Sequence, residues 1–243
     1  MEKRPDAILL KFPGTNCDLE TARAMDAAGF ATRTVPIARA HPAVLDGARV
    51  AVLAGGFSYG DYVMAGRIAE LENGRRLGDA LHRFRDAGGY LFGICNGFQI
   101  FSRLGLLPAG SLIDNTSGRF QCRWVTLENR RPDSPFLQGL PAEFELPVAH
   151  AEGRFVTKSD AEAQAYLDSG LAALTYLDDV NGSALRIAGL TDDTGRVFGL
   201  MPHPERFLFA RHHYDPDWHG AGADDGYGTG FAMFRSLYQA VTG

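Results

Sequence analysis

Across its first hundred residues the chain alternates short apolar runs with stretches of helical spacing, and glycines mark most of the change-overs. Residues 7–10 read as a buried strand and Pro13-Gly14-Thr15-Asn16 as the turn after it. Residues 18–28 then place Leu19, Ala22, Met25 and Ala28 at helical spacing, closed by Gly29. Residues 30–35 and 50–54 read as further strands. Residues 67–87 read as a helix broken at Asn73-Gly74 and ended by Gly88-Gly89, and residues 90–94 and 96–104 as one more strand and helix. A parallel neighbour can be reached only through a crossover of helical length, so this alternation predicts an α/β fold. The expected architecture is three-layered, with a mostly parallel central sheet flanked by helices.

After Leu107 the pattern changes. Short alternating runs and turn signals, among them Val180-Asn181-Gly182-Ser183 and Asp192-Asp193-Thr194-Gly195, predict a β-rich second half built from hairpins. A helix is expected over residues 231–241. With 243 residues, 45% of them apolar, and neither a repeat nor a low-complexity linker, the chain is read as a single domain spanning 1–243.

Charge and cysteine usage exclude several classes. A formal charge of −5 argues against a nucleic-acid partner. The run at 7–10 is too short for a signal-peptide core, and no apolar stretch is long enough to span a bilayer. Cys17, Cys95 and Cys122 cannot all pair, and their spacing fits neither a zinc motif nor a disulfide framework, which points to a reducing cytoplasm.

The chemistry centres on Gly93-Ile94-Cys95-Asn96-Gly97, a thiol between glycines where a strand gives way to a helix. Such a turn presents a nucleophile at the end of the sheet, with the helix N-terminus aimed at the sulfur. A base is needed, and a second predicted strand, residues 197–201, runs into Pro202-His203-Pro204-Glu205. The prolines stiffen that segment. His203 can then serve as base and Glu205 as its orienter, provided the fold brings them to Cys95. The glycine-rich Leu53-Ala54-Gly55-Gly56-Phe57-Ser58-Tyr59-Gly60-Asp61-Tyr62 also follows a strand. It lacks the Walker lysine and suits an oxyanion hole better than a phosphate cradle.

Together these segments resemble the class I (triad) glutamine amidotransferases. The likeness runs in order through Phe12-Pro13-Gly14-Thr15-Asn16-Cys17-Asp18, residues 55–61, Cys95-Asn96-Gly97-Phe98-Gln99, Ala149-His150-Ala151-Glu152-Gly153, Asn181-Gly182-Ser183 and Met201-Pro202-His203-Pro204-Glu205-Arg206. The C-N-G-F-Q elbow with G-G-F-S-Y-G-D is most similar to the purine-biosynthetic branch, other members usually carrying C-x-G-H-Q. The resemblance implies that Cys95 attacks the side-chain amide of glutamine, with His203 and Glu205 completing the triad. Backbone N–H groups of Gly56 or Phe57 and of Asn96 would hold the oxyanion, and Gln99 would contact the bound glutamine.

The resemblance also implies a partner, since the chain has no ATP site of its own. Ammonia would pass to a separate PurL synthetase, with the small PurS protein. That synthetase would use ATP and magnesium, and this chain would carry no cofactor or metal. Alternatives are another class I glutaminase subunit of the guanosine or anthranilate type, or a non-catalytic glutamine-sensing scaffold. A cysteine α/β-hydrolase would need its acid before its histidine, the reverse of His203 and Glu205.

Other candidates receive lesser roles. Cys17, at the first strand-to-helix turn, is read as structural, with a place near the site as the alternative, Cys122 as packed in the β-rich half, and His150 as lining the site or an interface. Arg211-His212-His213-Tyr214-Asp215-Pro216-Asp217-Trp218-His219 has no diagnostic zinc spacing, and with the glycines up to Gly230 it reads as a mobile loop.

Overall fold

In the computed structural model, which describes residues 4–56, 73–220 and 225–243, the strand and helix alternation is laid down in register. β1 (Asp6–Lys11) leads to α1 (Asp18–Ala28), ended by Gly29 at φ 120° with its N–H on the Asp26 and Met25 carbonyls. Then come β2 (Ala31–Pro36), β3 (Val50–Leu53), α2 (Asn73–Asp86), β4 (Tyr90–Ile94) and α3 (Asn96–Arg103). Every residue of β3 and β4 is buried, as strands covered on both faces require. Asn73 and Gly74 are the first described residues of α2. Residues 67–72 lie outside the described residues.

The second half contributes β5 (Ser111–Ile113), β6 (Gln121–Asn129), β7 (Glu143–His150), β8 (Arg154–Val156), α4 (Asp160–Asp168), β9 (Ala172–Tyr176), β10 (Ile187–Thr191), β11 (Val197–Leu200) and α5 (Thr229–Thr242). Nine strands form one sheet in the order β2-β1-β3-β4-β11-β10-β9-β6-β7, and β5 pairs with β8 apart from it. From β2 to β11 all pairs are parallel, and from β11 to β7 all are antiparallel. The expected parallel order therefore holds over the first five strands, and the β-rich half continues the same sheet. Its hairpins account for the change of direction, because a tight turn joins only antiparallel neighbours. At Asp192-Asp193-Thr194-Gly195 the Asp192 carboxylate accepts the N–H groups of Arg196 and Val197, both at 3.0 Å, and returns β10 into β11.

One consequence positions the site. β11 is the last strand among the described residues, yet it lies in the middle of the sheet beside β4, with Leu200 opposite Ile94. Their carboxyl ends therefore leave the sheet side by side. α3 packs unusually close behind them, since a Cβ on Gly97 would stand 2.1 Å from the Leu53 carbonyl oxygen. On the other face Phe92, Phe198, Phe136 and Phe234 join α5 to the sheet, with Phe136 and Phe198 stacked at 5.0 Å. Among the described residues no helix is long and apolar enough to cross a membrane.

Candidate active site

Cys95 occupies the single residue between β4 and α3. Its N–H donates to the Leu200 carbonyl at 2.7 Å, continuing the β4–β11 ladder, and Asn96 already belongs to the helix. The chain must turn within one residue, which holds Cys95 at φ 52° and ψ −104°, a conformation that side-chain-bearing residues rarely adopt. Such strain at a reactive residue is characteristic of functional turns.

His203 leaves β11 through Pro202, and its own N–H donates to the Pro147 carbonyl of β7 at 2.8 Å. Pro204 then starts a single 3-10 turn, residues Pro204–Arg206, that carries Glu205 back beneath the imidazole. His203 Nδ1 lies 2.6 Å from Glu205 Oε1, with both side chains buried. That bond orients the ring and leaves Nε2, buried and without a hydrogen-bond partner among the described residues, for proton exchange. Burial disfavours the charged imidazole. The Glu205 carboxylate, then the Cys95 and Cys17 thiols, outweigh it and hold the His203 pKa well above its usual value.

Cys95 and His203 meet over Gly55. A Cβ there would lie 2.8 Å from His203 Cε1 and 3.3 Å from Cys95 Cβ. Only a residue without a side chain lets the imidazole and the thiol-bearing carbon approach across the end of β3. Gly56 follows at φ 140°, packed on the Pro13-Gly14 turn so tightly that a Cβ would stand 2.6 Å from the Asn16 nitrogen. A nucleophile, an oriented base and a bare glycine backbone thus share one sheet edge. This arrangement is chemically suited to acyl transfer from a carbonyl carbon.

Comparison with known proteins gives this arrangement a family. Residues 4–240 match the CobB/CobQ-like glutamine amidotransferase domain. The chain belongs to this family of glutamine amidotransferases. It is 38% identical to phosphoribosylformylglycinamidine synthase subunit PurQ of Dehalococcoides mccartyi, with 94% of each chain covered. It is also 38% identical to PurQ of Thermotoga maritima, over 84% of this chain and 88% of that one. A chain in the structure of PurLQS from Thermotoga maritima superposes with a TM-score of 0.80 at 34% identity, covering 98% of this chain and all of that one. A glutamine amidotransferase from the same organism, at 14% identity and a TM-score of 0.63, shares the fold.

In this amidotransferase, of the other expected site residues, Gly56 lies just past β3 and Asn96 and Gln99 lie on α3 directly after Cys95. Asn96 Nδ2 donates to Gln99 Oε1 at 3.0 Å, and Gln99 Nε2 donates to the Glu152 carbonyl at 2.6 Å, tying α3 to the loop after β7. Phe57 lies outside the described residues. His150 is buried at the end of β7 and its Nδ1 faces Asn115 Oδ1 at 3.1 Å, although Glu152 stands two residues on, the spacing of His203 and Glu205. Burial first, then repulsion from His203, lowers its pKa to about 4, so it is neutral near pH 7 and lines the site without serving as an acid.

Cys17 takes the alternative of its two expected places, beside the site, with its Sγ 3.9 Å from His203 Nδ1 and accepting from Arg206 Nη2 at 3.0 Å. Its position at the turn that opens α1 was the available signal, since parallel strands end on one edge. Two expectations need correction. Cys122 is exposed on β6 rather than packed, because the alternation of β6 turns it outward. The segment after Arg211 is not an open loop at His213. That imidazole is buried against Trp124, Phe207 and Trp218 and lies 3.0 Å from Glu145. Residues 221–224 lie outside the described residues.

Sequence reasoning also missed the asparagines behind the site. Asn115 holds His150 and the Gly153 N–H, while Asn181 Nδ2 donates to the Gly153 carbonyl at 2.8 Å. Asn181-Gly182-Ser183 stood out as a turn signal and within the family likeness, but neither showed the clamp, because turn residues and loop clamps look alike in sequence.

Proposed function

We propose that this chain is the glutaminase subunit of a phosphoribosylformylglycinamidine synthase, working in the cytoplasm. The observation that carries the reading is the convergence of Cys95, His203 and Glu205 in a chain so similar to PurQ proteins over nearly its whole length. Cys95, as the thiolate, attacks the side-chain amide carbon of glutamine. The carbonyl oxygen becomes an oxyanion held by backbone N–H groups at Gly56 or Phe57 and at Asn96, one such donor contributing on the order of 3 kcal/mol. Collapse breaks the C–N bond as His203 gives its proton to the departing nitrogen, leaving ammonia and a thioester. His203 then takes a proton from water, whose oxygen displaces the thiolate and releases glutamate. Gln99, clamped between Asn96 and Glu152, contacts the bound glutamine.

This chain uses no cofactor in the scheme. ATP and magnesium belong to a separate PurL-type synthetase, assembled with a small PurS-type protein, which takes the ammonia to convert formylglycinamide ribonucleotide to formylglycinamidine ribonucleotide. The test is to treat the protein with a glutamine-analogue electrophile and map the adduct by mass spectrometry. Labelling at Cys95 is expected, and labelling at Cys17 or Cys122 alone would sink the mechanism. In the assembled complex, Cys95→Ala should abolish glutamine-dependent synthesis while leaving synthesis from added ammonia intact. Loss of both would point to a structural role for Cys95.

A further inference from the structure

Cys17 and Arg206 come from distant parts of the chain and meet directly behind the His203–Glu205 pair. Cys17 is fully buried at the N-terminal end of α1 and makes no side-chain cap there, so capping the helix does not account for the residue. Its Sγ instead accepts from Arg206 Nη2 at 3.0 Å and lies 3.9 Å from His203 Nδ1. Cys17, His203 and Glu205 offer ligand atoms all within 4.8 Å of one another, a trio of the kind that holds zinc. Here the positive charge beside the sulfur is a guanidinium, which disfavours a metal cation in the same place.

We propose that Arg206, anchored on the Cys17 sulfur, is a positioning residue that fixes the His203–Glu205 pair and supplies the countercharge of the site. The inference rests on the glutaminase reading above. Facing His203 are Glu205 from its own turn, Cys95 from the elbow before α3, Cys17 from the start of α1 and His150 from the end of β7, and Arg206 reaches this group through the Cys17 sulfur. Among these, Arg206 is the permanent cation. The guanidinium is half-buried and interacts with Cys17 first, then with Glu205 and Cys95. Without it, the Cys95 thiolate and the Glu205 carboxylate would face one imidazole with no countercharge. The ring would then hold its proton too tightly to pass it to the leaving nitrogen.

The test is the pH profile of glutamine hydrolysis by this chain assembled with its synthetase. Arg206→Gln is expected to move the alkaline limb, where His203 loses its proton, to higher pH by about one unit. Arg206→Lys, which keeps the charge, should leave the limb within a few tenths of a unit. A limb that stays in place in Arg206→Gln, whatever the height of the profile, overturns the proposal. The pairing is tested by introducing Cys17→Ala with and without Arg206→Gln. Shifts that differ by at least about half a unit show that the two side chains act together, and equal shifts refute it. Should Arg206→Gln fail to fold, Cys17→Ala answers alone. Its kcat should fall by at least about tenfold at unchanged KM and recover in Cys17→Ser, and an unchanged kcat counts against the proposal. Cys95 labelling in the native protein separates the two levels. If Cys95 is not labelled the glutaminase reading itself fails, whereas labelling with an unmoved limb removes only the Arg206 role.

Discussion

Glu205 places its carboxylate 2.6 Å from a histidine that is otherwise cut off from water, and both catalysis and stability are expected to depend on that contact. Glu205→Gln keeps the shape but removes the charge, so the ring loses the partner that favours its working tautomer. We expect kcat for glutamine hydrolysis to fall by about 10²- to 10⁴-fold, read in a coupled glutamate assay. The same contact makes stability depend on pH. Because His203 binds its proton more tightly in the folded chain, its contribution is fully present below the unfolded value of about 6.5 and is lost as pH rises through the raised folded value. The stability advantage of the native protein over Glu205→Gln should therefore shrink as pH climbs through that window. Thermal unfolding across a pH series measures it, and an advantage that grows with pH would contradict the assignment.

Between elements, the decisive contact is the approach of α3 to the end of β3. Gly97 sits where a Cβ would fall 2.1 Å from the Leu53 oxygen, and Gly93 where one would fall 2.8 Å from the backbone of Gly97. Both obstacles are backbone and cannot rotate away. Gly97→Ala should therefore cost more than about 3 kcal/mol or prevent folding, because the helix carrying Asn96 and Gln99 would have to move off the sheet. Gly195→Ala is the control. It has nothing within 4 Å and only its φ of 67° against it, so about 1 kcal/mol is expected. Urea unfolding of the two variants separates crowding from backbone strain, and equal costs would mean that the close approach of α3 is not what the glycine serves.

At the scale of the whole molecule, one sheet joins a parallel half that holds the elbow to an antiparallel half, and β11, the strand the two share, delivers the histidine. Loops from both halves close on the site. Gln99 reaches the Glu152 carbonyl, and Asn115 and Asn181 clamp the neighbouring Gly153 from two sides. Ammonia released into water would be protonated and lost to a synthetase, so turnover is expected to be coupled to assembly. We predict that the isolated chain hydrolyses glutamine at least about tenfold more slowly than the complex. Equal rates would show that the site needs no partner to reach its working geometry.

Local sequence determined the pieces. The boundaries of α1 and β4, the glycine elbow around Cys95 and the proline-flanked His203 follow from short-range sterics, from turn chemistry and from the periods of strand and helix. The triad residues could be named because each sits where a strand runs out. Tertiary structure alone decided that β11 inserts beside β4, since strand order depends on long-range pairing that no local pattern encodes. It also decided that Gly55 lets thiol and imidazole meet, and that Cys17, read as a packing residue, stands against His203 with Arg206 on its sulfur. A cysteine at a strand-to-helix turn looks the same in sequence whether it fills a core or faces a cation. Only the fold brings up the neighbour that tells the two apart.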